Sequence, residues 1–189
     1  MSDFSHLGAK ATAEIAEVLS RVSGKDIDRA IDMIAGARTI ALYGVGREGL
    51  MMKALTMRLF HLGLDAHVAG DMTTPPLDSG DLLIVSAGPG QFSTVSALLK
   101  VAREAGAKTL CITAQAEGES ARAADATLLL PAQTMADDVP AESQAVSVLP
   151  MGSLYEGVQY VAFELLVLKL RDRLGETAKT MRARHTNLE

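Results

Sequence analysis

RTIALYGVGREGLMMKALTMRLFHLG, Arg38 to Gly63, passes from a short apolar run through a glycine-rich turn into a helix, and that passage decides the fold class of the chain. Thr39 to Tyr43 is β-branched and apolar without alternation, the pattern of a strand buried on both faces of a parallel sheet. Gly44, Gly46 and Gly49 let the backbone turn tightly, so that the amides opening the next helix can face a ligand; an anion or a polar sugar fits there. That helix, roughly Glu48 to His61, carries Leu50, Met51, Ala54, Leu55 and Leu59. The glycine spacing is also G-x-G-x-x-G, a dinucleotide fingerprint that is a weak signal when it stands alone.

Further along, the unit repeats. A short strand near Ala66 to Ala69 ends at Gly70 and Asp71, and Thr73 to Pro76 forms a loop. Asp81 to Ser86 (DLLIVS) reads as a third buried strand, followed at once by a second glycine-rich turn, SAGPGQFS, Ser86 to Ser93. The next helix presents Val95, Leu98, Leu99 and Ala102 on one face and closes at Gly106. Lys108 to Thr113 and Thr127 to Leu130 read as two more strands, with a short helix at Ser120 to Ala124 between them. Strands alternating with helices predict a parallel sheet covered on both faces, with both glycine turns rimming one crevice at the carboxyl ends of the strands.

On the amino-terminal side, Ile15, Val18, Leu19 and Val22 fall at helical spacing. Ser23 and Asp26 mark the start of a second helix, striped with Ile27, Ala30, Ile31 and Ile34 and stopped by Gly36. On the carboxyl side, Pro131 to Pro150 lacks periodicity and is a candidate lid. Gly152 to Leu174 reads as a long helix, apolar around most of its circumference, which calls for more than one neighbour; the expected second neighbour is another subunit. Glu156 stands out in its first turn. The helix terminus favours its charged form and apolar walls disfavour it, so the net shift stays open at this level.

The totals narrow the function classes. With 189 residues there is room for one domain with a substantial core, divided as 1–36 (leading helices), 37–151 (sheet core and lid) and 152–189 (last helix and tail). Aromatic residues are 4% with no Trp, so the core is aliphatic. A net charge of −5 argues against nucleic acid as the main partner. The single cysteine, Cys111, lies in an apolar run and points to a reducing cytoplasm. No apolar run reaches membrane-spanning length and no signal-peptide core is visible, so the expectation is a soluble protein away from the membrane. No two histidines have ligand spacing, so no metal is expected, and no cofactor.

Taken with GVGREG, MRLFHLG (Met57 to Gly63) and the TTPP loop, the motifs PMGSLYE (Pro150 to Glu156) and MRARHTNLE (Met181 to Glu189) resemble the sugar isomerase (SIS) domain family over nearly the whole chain. The resemblance implies a flavodoxin-like five-stranded parallel sheet, a homotetramer, and interconversion of 3-hexulose 6-phosphate and fructose 6-phosphate. It also implies that Glu156 is the base and that His185 shuttles a proton between oxygens, in its own subunit or a neighbour's. The chemistry suits the residues: moving a carbonyl between adjacent carbons through a cis-enediol needs a base, which a carboxylate in an apolar first turn can supply. Gly46, Arg47, Glu48, Ser86, Gly88, Gly90, Gln91 and Ser93 are the candidate substrate-binding residues of the two turns; His61 lines the site or packs.

The two turns depart from the family pattern. Serine is usual where Glu48 stands, and hydroxyl residues are usual in the second turn where this chain has Ala87, Gly88, Pro89, Gly90, Gln91 and Phe92. Either a phosphate is held by Arg47 and the remaining hydroxyls of Ser86, Ser93 and Thr94, or the substrate carries no phosphate there and Glu48 and Gln91 bond sugar hydroxyls. Two readings from other classes stand beside the isomerase. One is a non-catalytic sugar-phosphate-binding module; the other is a nicotinamide-dependent oxidoreductase using the first turn with Asp71 as a ribose contact.

Overall fold

The computed structural model describes residues 3–137 and 146–188. Two helices, α1 (Phe4–Ser20) and α2 (Gly24–Gly36), precede the first strand, and Ser23 caps α2 by accepting the Asp26 amide, as its sequence signal predicts. The chain then alternates β1 (Ile40–Tyr43), α3 (Gly46–His61), β2 (Ala66–Val68), β3 (Leu82–Ser86), α4 (Ser93–Glu104), β4 (Lys108–Thr113), α5 (Glu119–Ala123) and β5 (Ala126–Leu129). A long helix, α6 (Ser153–Leu174), and a short one, α7 (Ala178–Ala183), complete it.

The five strands are all parallel, in the order β2-β1-β3-β4-β5. This is the flavodoxin-like winding expected from the alternation of elements. Its central strands are buried on both faces, which is why β1 and β3 show no polar alternation. Ile40, Leu42, Leu82, Ile84, Leu110 and Ile112 point to one side, where α2, α3 and α6 supply Ile34, Leu55, Leu59 and Val158. Ala41, Leu83, Val85 and Cys111 point to the other, under Val95, Leu99 and Ala102 of α4.

Gly44 and Gly49 are where the first turn needs its glycines. A Cβ on Gly49 would stand 2.5 Å from the Gly44 carbonyl oxygen, and one on Gly44 would stand 2.9 Å from the Gly49 amide. Backbone meets backbone there, so the spacing that resembles a dinucleotide fingerprint serves close approach of helix to strand.

Two expectations change. The second neighbour of α6 is found within the chain: α6 packs on α3 and is also flanked by α1 and α2, because the leading helices fold back across it. The carboxyl-terminal segment is not a free tail, for Thr177 and Thr180 form a capping box that opens α7. The lid expectation falls partly on 138–145, outside the described residues. On either side of them, Met135–Asp137 forms a single 3₁₀ turn, and Ser147 and Val148 donate to Glu14 of α1.

Candidate active site

β1 and β3 are adjacent, and the helical connections leave them in opposite directions, so their carboxyl ends open a crevice. The first turn leads from β1 into α3, the second from β3 into α4, and the start of α6 closes the crevice beside them.

Glu48 does not face outward from the first turn. It is 6% exposed, and its carboxylate reaches across to the second turn. The Gly88 amide donates to both oxygens, at 3.0 and 3.2 Å, and the Ser86 hydroxyl donates to Oε2. Having given its proton to Glu48, Ser86 Oγ accepts from Gln159 Nε2 at 2.7 Å, and the Tyr155 hydroxyl lies 3.5 Å away. Burial pushes the Glu48 carboxyl above its ordinary range, against the opposing hydrogen bonds from Ser86 and Gly88. Tyr155 is fully buried and its phenol is driven further up, so it is a neutral hydroxyl.

Glu156 sits in the first turn of α6, beyond a tight entry in which Met151 and Gly152 both have positive φ. A Cβ on Gly152 would stand 2.2 Å from the Met135 amide nitrogen, which explains glycine in the PMGS motif. Glu156 Oε1 lies 3.3 Å from Arg47 Nη2, while Oε2 is buried and has no hydrogen-bond partner among the described residues. Burial outweighs the Arg47 charge, and the carboxyl is raised. The direction left open by the sequence is therefore upward. Arg47 fastens the entrance to α6: Nη1 donates to Ser153 Oγ at 2.7 Å and Nη2 to the Met151 carbonyl.

Gly46, Arg47, Glu48, Ser86, Gly88 and Glu156 thus come together around one crevice. Gly90 turns with φ +97, and Gln91 and Ser93 are exposed on the rim. A cavity of about 620 Å³ adjoins the second turn through Gln115, with Lys10, Arg21, Asp137 and Leu154 among its walls.

His61 and His185 are elsewhere. His61 is buried at the last residue of α3, thirteen residues from Glu48, or about 20 Å at the rise of an α-helix. It packs rather than lining the crevice. His185 stacks on it, ring centroids 5.2 Å apart, and Arg184 holds that segment in place by donating to the His61 carbonyl and to Glu176, each at 2.9 Å. Sequence reasoning missed Tyr155 and Gln159. The signal for Gln159 is an amide in a helix otherwise apolar around most of its circumference.

Residues 33–153 match the SIS domain family. A 3-hexulose-6-phosphate isomerase of Mycobacterium gastri is 34% identical over 176 residues, covering 93% of this chain and 86% of the relative. A Bacillus subtilis protein of the same name is 30% identical, covering 95% of this chain and all of the relative. A crystal structure of a hypothetical protein from Methanococcus jannaschii, for which a 3-hexulose-6-phosphate isomerase function was inferred, superposes with a TM-score of 0.81. It is 27% identical and covers 96% of this chain and 98% of that one. With a doubly wound sheet, a crevice at its switch point and relatives matched over most of both lengths, the chain belongs to the SIS domain family.

Proposed function

We propose that the protein is a ketose isomerase of the 3-hexulose 6-phosphate type, a 6-phospho-3-hexuloisomerase, acting on fructose 6-phosphate through a cis-enediol. The observation that carries the reading is Glu156: a carboxylate in the crevice with one oxygen steadied by Arg47, the other unpartnered among the described residues, and a raised pKa. Such a group takes a proton from carbon and returns it, because its basicity is drawn toward operating pH. Starting from fructose 6-phosphate, Glu156 removes the proton from carbon 3, the carbonyl at carbon 2 becomes part of the enediol, and the proton returns to carbon 2 as the carbonyl forms at carbon 3. The names of the relatives in Mycobacterium gastri and Bacillus subtilis support the same chemistry.

His185 is the proposed proton shuttle between the two oxygens. About 20 Å of α3 separates its own subunit's crevice from it, so it serves the crevice of a neighbouring subunit within a homo-oligomer, a tetramer in this reading. Outward apolar side chains on the paired helices α3 and α6 support such an association, among them Leu50, Met57, Phe60, Leu165 and Leu168. The reading places the enzyme in a reducing cytoplasm and gives Cys111 no part in the chemistry, since burial pushes its thiol up to about 12 and leaves it an unreactive core residue. Among the described residues no helix is long and apolar enough to cross a membrane.

The test is proton NMR of fructose 6-phosphate in deuterium oxide with the wild-type protein and Glu156→Gln. Deuterium entering at carbon 3, and slowed by a hundredfold or more in the variant, is the expected result. Exchange at carbon 1 would reassign the enzyme to aldose–ketose isomerisation, and exchange unaffected by the substitution would remove Glu156 as the base.

A further inference from the structure

The crevice is anionic before any ligand enters it. Glu48 and Glu156 face a single guanidinium, Arg47, which is already engaged by Glu156, Ser153 and the Met151 carbonyl. The two donors of the second turn that lie beside Glu48 are also taken. The Gly88 amide points at both oxygens of Glu48, and the Ser86 hydroxyl donates to Glu48 as well. Gln159 holds this arrangement from behind by donating to Ser86 Oγ.

Of the buried atoms still unsatisfied among the described residues, the Ser120 hydroxyl lies beside Gly90 and the other two are on α6. Glu156 Oε2 and Gln159 Oε1 have no partner among the described residues, and both are acceptors. Gln159 is completely buried. Its amide orientation follows from the network, since Ser86 Oγ has donated to Glu48 and can only accept from Gln159. A phosphoryl dianion at Gly88 and Ser86 would find both donors taken and would meet the Glu48 charge at contact distance. A sugar hydroxyl brings the donor.

We propose that Glu48 is the specificity-determining residue of the crevice: it fills the anion position at Gly88 and Ser86, so the group received there is the hydroxyl-bearing carbon chain of the sugar. The phosphoryl group of a phosphorylated substrate stays away from Gly88 and Ser86. This rests on the isomerase reading for the identity of the sugar, but not for the exclusion of phosphate, which follows from the protein's own charges and donors.

Glu48→Ser removes the carboxylate and opens the Gly88 amide and the Ser86 hydroxyl to a ligand. Calorimetric titration with inorganic phosphate tests this without reference to turnover. The expected result is phosphate affinity at least tenfold tighter in Glu48→Ser than in the wild type. Affinity that is equal or weaker in the variant overturns the proposal. Glu48→Ala likewise opens the Gly88 amide and the Ser86 hydroxyl and is expected to move the same way, so the comparison survives if the serine variant does not fold. At the level of substrate, the ratio of exchange efficiency on fructose 6-phosphate to that on fructose rises with the phosphate affinity. If the wild type exchanges neither sugar the isomerase reading fails, and the phosphate titration still decides the role of Glu48.

Discussion

Replacing Arg47 by Met keeps an aliphatic stem and removes the cation that faces the proposed base. At 3.3 Å and an effective dielectric of about 20, the attraction between Arg47 and Glu156 is at most about 5 kcal/mol. The Arg47 side chain is 47% exposed, so water screens much of this, and roughly 1–2 kcal/mol in favour of the ionised carboxylate is the working figure. That corresponds to a factor of about 5–30 in the population of ionised base on the acid limb of the rate profile. The sign follows from the causes of the shift: burial raises the Glu156 pKa, Arg47 opposes it, and without Arg47 burial acts unopposed. The acid limb of kcat/KM for exchange at carbon 3 should therefore move to higher pH in Arg47→Met and move less in Arg47→Lys, which keeps the charge without the fork. The substrate's own phosphate titrates identically for both enzymes, so the difference between their profiles belongs to the protein. A second loss, about tenfold on the plateau, is expected because the α6 entrance loses its tie to Ser153 and Met151. An acid limb that stays in place or moves to lower pH would refute the reasoning.

Gly49→Ala should destabilise the fold by about 3 kcal/mol in urea unfolding, since its Cβ would lie 2.5 Å from a backbone oxygen that cannot swing aside; a loss under 0.5 kcal/mol would mean that strand and helix separate easily. Mixed oligomers of Glu156→Gln and His185→Asn subunits, each inactive alone, should regain exchange activity, because a neighbour supplies the missing histidine; no recovery in confirmed mixed oligomers would exclude a shared site.

Much of the architecture was legible in sequence because it rests on local patterns. The unbroken apolar runs at Ile40–Tyr43 and Leu82–Ser86 mark strands with no solvent face, and the Ser23 cap and the stops at Gly36 and Gly106 bound helices through short-range hydrogen bonding. α7 was missed because its capping box uses Thr180 in place of the acidic or amide residue that the pattern leads one to seek. The cover that α1 and α2 give α6 was not legible for a different reason: an apolar circumference says that several faces are buried, not by what.

The site divides along the same line. Residue types and spacing are enough to single out both glycine turns, Arg47, Glu48 and Glu156, and adjacency of the turns follows from the winding of parallel strands. Which way Glu48 points does not. It depends on the Gly88 amide and the Ser86 hydroxyl, about forty residues away, and on Gln159 more than a hundred residues away, all brought within hydrogen-bond distance by the sheet and α6. The direction of the Glu156 shift was likewise settled by how much of the side chain is buried against how far Arg47 reaches. His185 could be named from its motif, yet only the packing of α7 against the far end of α3 shows that it stands apart from its own crevice. Sequence determines which groups exist and which local elements carry them; the strength of a charge, a hydrogen bond or a desolvation depends on distances set when non-local elements pack.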